Sequence, residues 1–547
     1  MTKGGKWFTI GDYKEGLRFA RPKGMRLSKV LERLEVLRLF TAGSETELDP
    51  EISAVVFDSR KVVPGCLFVC IVGNNTDGHK YIPDVVAAGA AAVLVEAGHL
   101  PELLPEGAVY AEVANTRRGL ALASAAWFGY PAEHLPVIGI TGTKGKTTTT
   151  YMVKAILDAA GIPTGLIGTI EIIIKDEHIH ATHTTPESYF VQEYLARMLA
   201  AGCKCCVMEV SSQALMLDRT AGIPFEIGVF TNLGRDHIGK GEHKDFEDYL
   251  HCKSLLFKQC KIGLVNLDDP YVQRILENAT CRVETFGVDS EDANLRATNI
   301  EHIHEPGYLG VRFEAVAGSV PTAGLAGDAE ESASKVAGDS SSDFHLSVTL
   351  QIPGKFSVYN ALTAIGICRH FGVPADVMKE ALANARVRGR VELVPVSDKY
   401  TLLIDYAHNA MALESLLKTL RDYHPHRLVS VFGCGGNRAT DRRFKMGEVS
   451  GKEADFTIIT SDNPRFEEPE AIMADIRTGM QRTNGKFIEI VDRKEAIAYA
   501  IAHGEPGDII VIAGKGHEDY QEIRGVRYPM DDRELVREIL EEGKALL

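Results

Sequence analysis

Short apolar runs alternate with longer amphipathic stretches through the last third of the chain. The apolar runs lie at 401–404, 428–432, 456–460, 487–490 and 509–512. Between them, segments such as 412–421 and 470–481 place apolar residues three and four positions apart, which is the spacing of one face of a helix. This alternation predicts a doubly wound α/β domain with a mostly parallel sheet, whose ligands bind at the carboxyl ends of the strands.

The middle of the chain begins with a similar pattern. An apolar run at 136–140 leads into the polar sequence TGTKGKTTTT, and a helical stretch near 151–160 follows. Two later apolar runs end at Glu209 and at Phe230. Together these features predict a second α/β domain, with a mostly parallel sheet, over residues 134–387.

The regions on either side complete the domain organisation. Residues 1–133 contain shorter βα-like pieces and predict a smaller N-terminal domain, and residues 388–547 hold the doubly wound domain. The segment 317–342 is rich in Gly, Ala, Ser and acidic residues, so we expect it to be a disordered insertion. Three domains are consistent with a chain of 547 residues.

Composition narrows the class of protein. Hydrophobic residues make up 45% and charged residues 25% of the chain, as in ordinary globular proteins, and the net charge of −15 argues against general nucleic-acid binding. The longest apolar stretch, 85–95, is too short to span a bilayer, and the N-terminus lacks the apolar core of a secretory signal. Ten scattered cysteines fit a reducing compartment. We therefore expect a cytoplasmic protein without a membrane span, and a monomer by default.

The strongest local signal is the glycine-rich turn between the first strand and helix of the predicted central domain. It consists of Gly142, Thr143, Lys144, Gly145, Lys146, Thr147 and Thr148. Glycines let backbone N–H groups approach a phosphate, the lysine adds a positive charge, and a threonine hydroxyl can join the Mg²⁺ shell. The spacing GxxGKT is shorter than the general phosphate-loop pattern, and an ordinary strand–helix turn is the alternative. Lys-Thr-Thr at this place favours a nucleotide site.

Two further polar groups follow predicted strands. Glu209 ends one apolar run, and His237 closes the sequence TNLGRDH after another. In a parallel sheet both would lie at the edge that carries the phosphate loop, where Mg²⁺ commonly takes carboxylate ligands. His237 could equally be a hydrogen-bonded structural residue. The CxxC at 203–206 has no second pair and runs into a predicted strand, so we interpret its cysteines as core residues and not as a zinc or redox site.

Nine short motifs, taken in order, resemble those of the Mur ligases. They are ITGTKGKTTT, MEVSSQAL, TNLGRDH, PGKFSVYNALTA, VRGRVE, DYAH, FGCGGNR, SDNPR and AGKGHEDYQ. With the DSR sequence that begins at Asp58, the resemblance extends to Gln521 and so covers most of the chain. It implies an N-terminal UDP-substrate domain, a central P-loop-type ATPase domain and a C-terminal Rossmann-like domain.

The resemblance also implies a reaction in peptidoglycan precursor synthesis, and the set is most similar to the ligases that add the third peptide residue. With ATP and Mg²⁺, such enzymes phosphorylate the D-glutamate γ-carboxylate of UDP-N-acetylmuramoyl-L-alanyl-D-glutamate. The amine of a diamino acid then attacks the acyl phosphate. Positioning and cations that stabilise the migrating phosphoryl group supply most of the catalysis in such transfers.

Roles for individual residues follow from the matching positions. The catalytic residues would be Lys146, Glu209, His237 and Lys253. The metal ligands would be Thr147, Glu209, His237 and a carbamate of Lys253, although sequence alone would make Lys253 an exposed helix lysine. The ATP contacts would come from the 142–148 loop, Asn360, Arg390 and Asp405. The UDP-muramoyl dipeptide would contact Ser59, Thr184, Thr185, Ser211, Arg219 and Lys253.

The acceptor amino acid is predicted from the DNPR motif. The acceptor pocket would be formed by Arg438, Asp462, Asn463, Arg465, Gly514 and Glu518. meso-Diaminopimelate carries a second carboxylate at its far end, which the guanidinium of Arg465 could bind bidentately. Family members that add lysine usually lack this arginine, so diaminopimelate is the predicted acceptor, and L-lysine or another amine is the alternative.

Several positions depart from the family pattern. Asn409 and Ala410 stand where Thr-Pro usually follows DYAH, and the segment between His237 and Lys253 is longer than usual. A non-catalytic paralogue that binds nucleotide or UDP-muramoyl peptide is therefore one alternative. A folylpolyglutamate-synthetase-like ligase is another, but it would not be expected to carry DSR, DNPR and GKGHE together.

Overall fold

The computed structural model describes residues 24–43, 47–73, 76–236, 238–239, 242–305, 308–317 and 344–545. His237 and the predicted insertion, apart from Ala317, lie outside the described residues. The chain forms two compact units, of which the first comprises Met1–Phe286 with Thr363–Val373. The second comprises Gly287–Leu362 with Pro374–Leu547.

The first part of the first unit is a small α/β layer. Its elements are β1 (Met25–Arg26), α1 (Leu27–Val30), β2 (Val36–Thr41), β3 (Glu51–Ile52), β4 (Val55–Val56), β5 (Leu67–Val69), α2 (Ile82–Ala87), β6 (Ala92–Glu96), β7 (Val109–Val113), α3 (Thr116–Trp127) and α4 (Pro131–His134). Five strands pair in the order β2-β7-β6-β5-β4, and β2 is the antiparallel one. Two clusters of buried apolar side chains fill this layer.

The second part of the first unit is built on a larger, mostly parallel sheet. Its elements are β8 (Val137–Thr141), α5 (Lys146–Ala159), β9 (Thr164–Ile167), β10 (Glu171–Ile174), β11 (Glu177–His180), α6 (Ser188–Ala200), β12 (Cys205–Glu209), α7 (Ser212–Met216), β13 (Phe225–Phe230), α8 (Phe246–Ser254), β14 (Cys260–Asn266), α9 (Val272–Leu276) and β15 (Arg282–Gly287). The strand order is β11-β10-β9-β12-β8-β13-β14-β15. β8, β9, β12, β13, β14 and β15 are parallel, so their carboxyl ends share one edge.

The second unit contains an antiparallel meander and a doubly wound sheet. Its elements are β16 (Leu295–Glu305), β17 (Tyr308–Ala317), β18 (Phe344–Leu350), α10 (Lys355–His370, shared with the first unit), α11 (Ala375–Asn384), β19 (Glu392–Val394), β20 (Thr401–Asp405), α12 (Ala410–Arg421), β21 (Leu428–Phe432), α13 (Thr440–Glu453), β22 (Phe456–Ile459), α14 (Pro469–Met480), β23 (Lys486–Glu489), α15 (Arg493–Ala502), β24 (Ile509–Ala513), β25 (Tyr520–Ile523), β26 (Val526–Pro529) and α16 (Asp532–Ala545). The wound sheet has the order β19-β20-β24-β21-β22-β23, with only β19 antiparallel.

The α/β fold is confirmed, and the predicted strands of both wound sheets lie within one or two residues of the observed ones. The main difference is α5, which begins at Lys146 and not near residue 151. Its first turns hold four threonines, whose β-branched side chains have low helix propensity, so the sequence pattern placed the helix start too late. The three cysteines at 203–206 are buried in the core, as predicted. No helix among the described residues is long and apolar enough to cross a bilayer.

Candidate functional site

The carboxyl ends of three neighbouring strands bring the predicted nucleotide residues together. β8 pairs in parallel with β12 on one side and with β13 on the other. The glycine-rich loop leaves β8, Glu209 is the last residue of β12, and Thr231 directly follows β13. The sheet thus places Glu209 and Thr231 on the two sides of the loop, as the strand pattern predicted.

The glycine-rich loop is held by the segment that follows β13. Asn232 accepts hydrogen bonds from Thr143 N through its carbonyl oxygen (2.8 Å) and from Lys144 N through Oδ1 (2.9 Å). Asn232 Nδ2 in turn donates to the Lys144 carbonyl oxygen (3.0 Å). Gly145 is the N-cap of α5 and offers no capping side chain. The N-cap residue therefore takes up none of the N–H groups at the start of α5 with a side chain, an arrangement that suits phosphate binding at a helix N-terminus.

Lys146 lies against the loop that precedes it. Its Nζ donates to the carbonyl oxygens of Gly142 (2.8 Å) and Thr143 (3.1 Å). Lys253, from α8, donates to the same Gly142 oxygen (2.9 Å). The amino groups of two lysines therefore meet at one carbonyl oxygen of the loop, and the positive charge of Lys146 suits the loop to an anion.

Glu209 is a buried carboxylate, with only 1% of its surface exposed. Thr147 Oγ1 donates to both of its oxygens at 3.0 Å, and Thr169 donates through N (2.8 Å) and Oγ1 (3.1 Å). Among the described residues these donors are all uncharged. A buried carboxylate without a cation is unfavourable, so the carboxylate and hydroxyl oxygens of Glu209 and Thr147 fit a divalent cation such as Mg²⁺.

Lys253 is 1% exposed, so the structure contradicts the interpretation of an exposed helix lysine. Its Nζ lies 4.5 Å from the centre of the Tyr249 ring. Burial lowers the pKa of Lys253 well below its usual value, and the neighbouring charge of Lys146 lowers it further. A neutral amine is the form of a lysine that reacts with CO₂, so this environment is compatible with the predicted carbamate.

The residues predicted to hold the muramoyl dipeptide lie next to Glu209. Thr185 Oγ1 donates to the Glu209 carbonyl oxygen (2.9 Å) and accepts from Ser211 N (3.0 Å). Arg219 Nη1 donates to the Thr185 carbonyl oxygen (3.1 Å). Thr184 Oγ1 lies 3.1 Å from Thr169 Oγ1, which can accept a hydrogen bond from it, and so joins the same network.

Ser59 belongs to a different part of the first unit. It begins a short 3₁₀ turn that follows β4, where Asp58 caps the turn by accepting from Arg60 N (3.1 Å). The Ser59 side chain is half-buried. This position is compatible with a ligand at the N-terminal sheet, which is where the resemblance puts the uridine diphosphate.

In the second unit, the predicted acceptor residues follow β22 and β24. Asn463 Nδ2 donates to Glu518 Oε2 (2.9 Å). Gly514 lies against Asp462, since a Cβ on the glycine would be 2.7 Å from Asp462 Oδ2. Burial raises the pKa of Glu518 above its usual value. These four residues form one polar cluster at the carboxyl edge of the sheet.

Arg465 joins this cluster and Arg438 does not. Arg465 Nη1 donates to the Gly436 carbonyl oxygen (2.7 Å), and Nε donates to Glu522 Oε2 (3.1 Å). Arg438 is exposed and makes no hydrogen bond or ion pair with the described residues. The Arg465 guanidinium is thus held in place by two acceptors, whereas Arg438 is a surface side chain.

The predicted ATP contacts of the second unit lie on separate elements. Asp405, at the end of β20, accepts from Val391 N and Ala407 N, both at 2.8 Å, and burial raises its pKa. The Arg390 guanidinium lies 4.7 Å from the centre of the Tyr406 ring. Asn360 is buried on α10. Asp405 therefore has both oxygens bound to backbone amides, which is a structural use of a residue that was predicted to contact ATP.

Comparison with known proteins gives the family. Models of the Mur ligase family match residues 51–128 (catalytic domain), 140–368 (middle domain) and 389–516 (glutamate ligase domain). A relative from Clostridium botulinum, named UDP-N-acetylmuramoyl-L-alanyl-D-glutamate--2,6-diaminopimelate ligase, is 38% identical over 95% of this chain and 100% of its own length. The chain belongs to the Mur ligase family. A relative of the same name from Caldanaerobacter subterraneus is 40% identical over 90% of this chain and 96% of its own.

A solved structure agrees with this membership of the Mur ligase family. It is described as UDP-N-acetylmuramoyl-L-alanyl-D-glutamate--2,6-diaminopimelate ligase, has a TM-score of 0.64 and 28% identity, and covers 90% of this chain and 95% of its own. The Mur ligase fold is thus shared along almost the whole chain.

Some residues of this Mur ligase site were given no role by the sequence analysis. Lys515 is fully buried, and its Nζ bonds to the Tyr520 carbonyl oxygen and lies 3.4 Å from both Asn463 Oδ1 and Glu518 Oε2. Tyr249 OH lies 3.1 Å from Thr143 Oγ1. Tyr249 could have been found, because it stands four residues before Lys253 and therefore on the same face of α8.

Proposed function

We propose that the protein is an ATP-dependent ligase that joins meso-diaminopimelate to UDP-N-acetylmuramoyl-L-alanyl-D-glutamate in peptidoglycan precursor synthesis. The names of the full-length relatives support the reaction. The observation that carries the acceptor is the guanidinium of Arg465, which Gly436 and Glu522 hold in place on the loop that also carries Asn463. A fixed guanidinium recognises a carboxylate, which diaminopimelate has at its far end and lysine lacks.

The first unit would activate the substrate carboxylate. The 142–148 loop and the start of α5 would bind the ATP phosphates, and Lys146 would exchange its loop carbonyls for phosphate oxygens. Thr147, Glu209, His237 and Lys253 as a carbamate would hold Mg²⁺, which supplies charge neutralisation during phosphoryl transfer. Thr184, Thr185, Ser211 and Arg219 would orient the D-glutamate end, and Ser59 would contact the uridine diphosphate.

The second unit would select the amine. Arg465 would bind the far carboxylate, while the carboxylates of Asp462 and Glu518 and the amide of Asn463 would receive ammonium groups. Asn360, Arg390 and Asp405 stay predicted nucleotide contacts. Gly514 would let the ligand approach Asp462, because any side chain there would meet Asp462 Oδ2.

We also propose that the chain is organised into an N-terminal domain (1–133), a central domain (134–387) and a C-terminal domain (388–547). Three different sheets support this division: the one formed by β2 and β4–β7, the one that contains β8–β15, and the one formed by β19–β24. A cytoplasmic location is supported by the use of ATP and a nucleotide-linked precursor, and a monomer stays the expected state.

The test is phosphate release with ATP, Mg²⁺ and UDP-N-acetylmuramoyl-L-alanyl-D-glutamate. Four conditions are compared: meso-diaminopimelate, diaminopimelate amidated at the far carboxylate, L-lysine, and no acceptor. We expect release only with unmodified diaminopimelate, because the amide and lysine both lack the charge that Arg465 would bind. Equal stimulation by lysine or the amide would keep the ligase and refute the acceptor. Binding of the UDP-substrate without release under any condition would favour a non-catalytic paralogue.

A further inference from the structure

The loop that carries Asn463 and Arg465 is fastened to strand β25, and the backbone of Glu522 makes two of the hydrogen bonds. Arg465 N donates to the Glu522 carbonyl oxygen (2.9 Å), and Glu522 N donates to Asn463 Oδ1 (2.9 Å). Arg524 N donates to the Arg465 carbonyl oxygen (2.6 Å) and extends this pairing. The backbone of Glu522 therefore contacts both polar residues of the proposed acceptor loop.

The side chain of Glu522 adds a contact with the Arg465 guanidinium. Glu522 Oε2 lies 3.1 Å from Arg465 Nε, and both side chains are mostly buried, with 24% and 21% of their surfaces exposed. On the neighbouring edge, Arg465 Nη1 donates to the Gly436 carbonyl oxygen (2.7 Å). Nη2 has no partner among the described residues. One N–H group of Nη1 and both N–H groups of Nη2 are therefore left for a carboxylate, which a guanidinium binds bidentately.

We propose that Glu522 is a positioning and specificity residue for the acceptor. It holds the Nε edge of Arg465, so that the Nη edge is presented to the second carboxylate of the amino acid. This inference rests on the proposed diaminopimelate ligase function. It concerns an acidic residue that would act through Arg465 and would not itself touch the acceptor.

Glu522 could instead weaken acceptor binding by competing for Arg465, and the direction of the change in KM distinguishes the two effects. If Glu522 competed with the substrate carboxylate for Arg465, its removal would strengthen acceptor binding. The contact at Nε argues for positioning, because Nε and the Nη1–Nη2 edge are different sides of the same planar group. Loss of Glu522 would then let the guanidinium rotate about its long side chain and lose its orientation.

The variants are Glu522→Ala, Glu522→Gln and Arg465→Ala, together with the double variant of Glu522→Ala and Arg465→Ala. Glu468→Ala is the matched control, since it breaks an arginine–glutamate pair with Arg524 (3.4 Å) that is largely exposed to solvent. Each variant is assayed for kcat and for the KM of diaminopimelate, ATP and the UDP-substrate. Thermal unfolding checks that each variant is folded.

For Glu522→Ala we expect the diaminopimelate KM to rise by about 10- to 100-fold, with the KM of ATP and of the UDP-substrate unchanged. Glu522→Gln should have a smaller effect, because the amide oxygen can still accept from Nε. In the Arg465→Ala background, Glu522→Ala should add less than about threefold, since both changes remove one interaction. Glu468→Ala should resemble the wild type.

Three results would overturn the inference. They are an unchanged or lowered diaminopimelate KM in both Glu522 variants, an equal rise in the KM of all three substrates, or fully additive effects in the double variant. A wild type without diaminopimelate-dependent turnover would instead refute the proposed function, and the inference with it. If Glu522→Ala does not fold, the test is decided by Glu522→Gln and by its combination with Arg465→Ala.

Discussion

Replacement of Gly142 by alanine tests how the phosphate loop is shaped. Gly142 has φ = +147°, a conformation that side-chain-bearing residues rarely adopt. A Cβ on this residue would lie 1.9 Å from Thr231 Oγ1 and 3.1 Å from both N and O of Asn232. Since ordinary contacts begin near 3.4 Å, the loop or Thr231 would have to move by more than an ångström.

Neither side of this contact can move alone. Thr231 Oγ1 donates to the Lys144 carbonyl oxygen (2.8 Å), and Asn232 accepts hydrogen bonds from Thr143 N and Lys144 N. The Gly142 carbonyl oxygen accepts from both Lys146 and Lys253. A displacement of Gly142 would therefore disturb the amides that are proposed to bind phosphate and both lysines at once.

The expected magnitude combines two effects. A side chain in a backbone region that only glycine populates costs about 1–3 kcal/mol, and overpacking of a tight contact costs about 1–3 kcal/mol more. The sum is about 2–6 kcal/mol. If the lower bound of about 2 kcal/mol is lost from the free energy of ATP binding, ATP affinity falls by about 30-fold, because every 1.4 kcal/mol is a factor of ten.

The assay is ATP binding by calorimetry, with the KM of ATP and thermal unfolding measured on the same samples. Gly161→Ala is the control for backbone strain alone, because Gly161 has φ = +75° and no atom within 4 Å of its added Cβ. The second comparison is Gly142→Ala combined with Thr231→Ala, which removes the oxygen at 1.9 Å. We expect this pair to recover part of the lost affinity.

Two outcomes would refute this reasoning. One is an ATP affinity of Gly142→Ala within about threefold of the wild type, a difference well under 1 kcal/mol. The other is a double variant that is weaker than both single variants, which would mean that Thr231 does not restrict this position. If Gly161→Ala loses as much ATP affinity as Gly142→Ala, the effect comes from a general loss of stability and not from the shape of the loop.

The remaining predictions address the metal, the acceptor and a helix cap. Lys253→Ala should abolish most turnover, and short carboxylic acids such as acetate should restore part of it, whereas near-normal turnover without them would contradict a carbamate. Arg465→Ala should raise the diaminopimelate KM at least about tenfold in steady-state assays and change the ATP KM little. An equal rise in both KM values would mean that Arg465 has only a structural role. Asn409→Ala should lower the free energy of unfolding in urea by about 1 kcal/mol, whereas Asn409→Thr should match the wild type.

Much of the site could be predicted because strand ends are visible in the sequence. Each apolar run that stops at a polar group marks one carboxyl end, and a parallel sheet brings such ends to one edge. This argument placed Glu209 beside the 142–148 loop without any knowledge of contacts, whereas Asn463 and Glu518 were assigned to the acceptor pocket from the family resemblance. It gave the edge of the sheet at which each group lies, but not the hydrogen bonds between them.

The parts that could not be predicted depend on packing between distant segments. Thr169 donates to Glu209 across 40 positions, and Glu522 contacts Arg465 across 57. The sequence around Lys253 is typical of a lysine on the surface of a helix. Only the packing of α8 against the 142–148 loop buries this side chain. No local pattern records such contacts, since burial is decided by what the rest of the chain places nearby.

The departure at Asn409 and Ala410 shows how the structure changes the meaning of a sequence difference. In the sequence, two unfamiliar residues after DYAH raised the alternative of an altered or inactive ligase. In the structure, Asn409 is the N-cap of α12, and its Oδ1 accepts from Ala412 N (2.9 Å). Asn and Thr both cap helices through a side-chain oxygen, and Ala and Pro are both compatible with the first helical position. Asn-Ala can therefore begin α12 as Thr-Pro would. This departure from the family pattern does not argue against an active site.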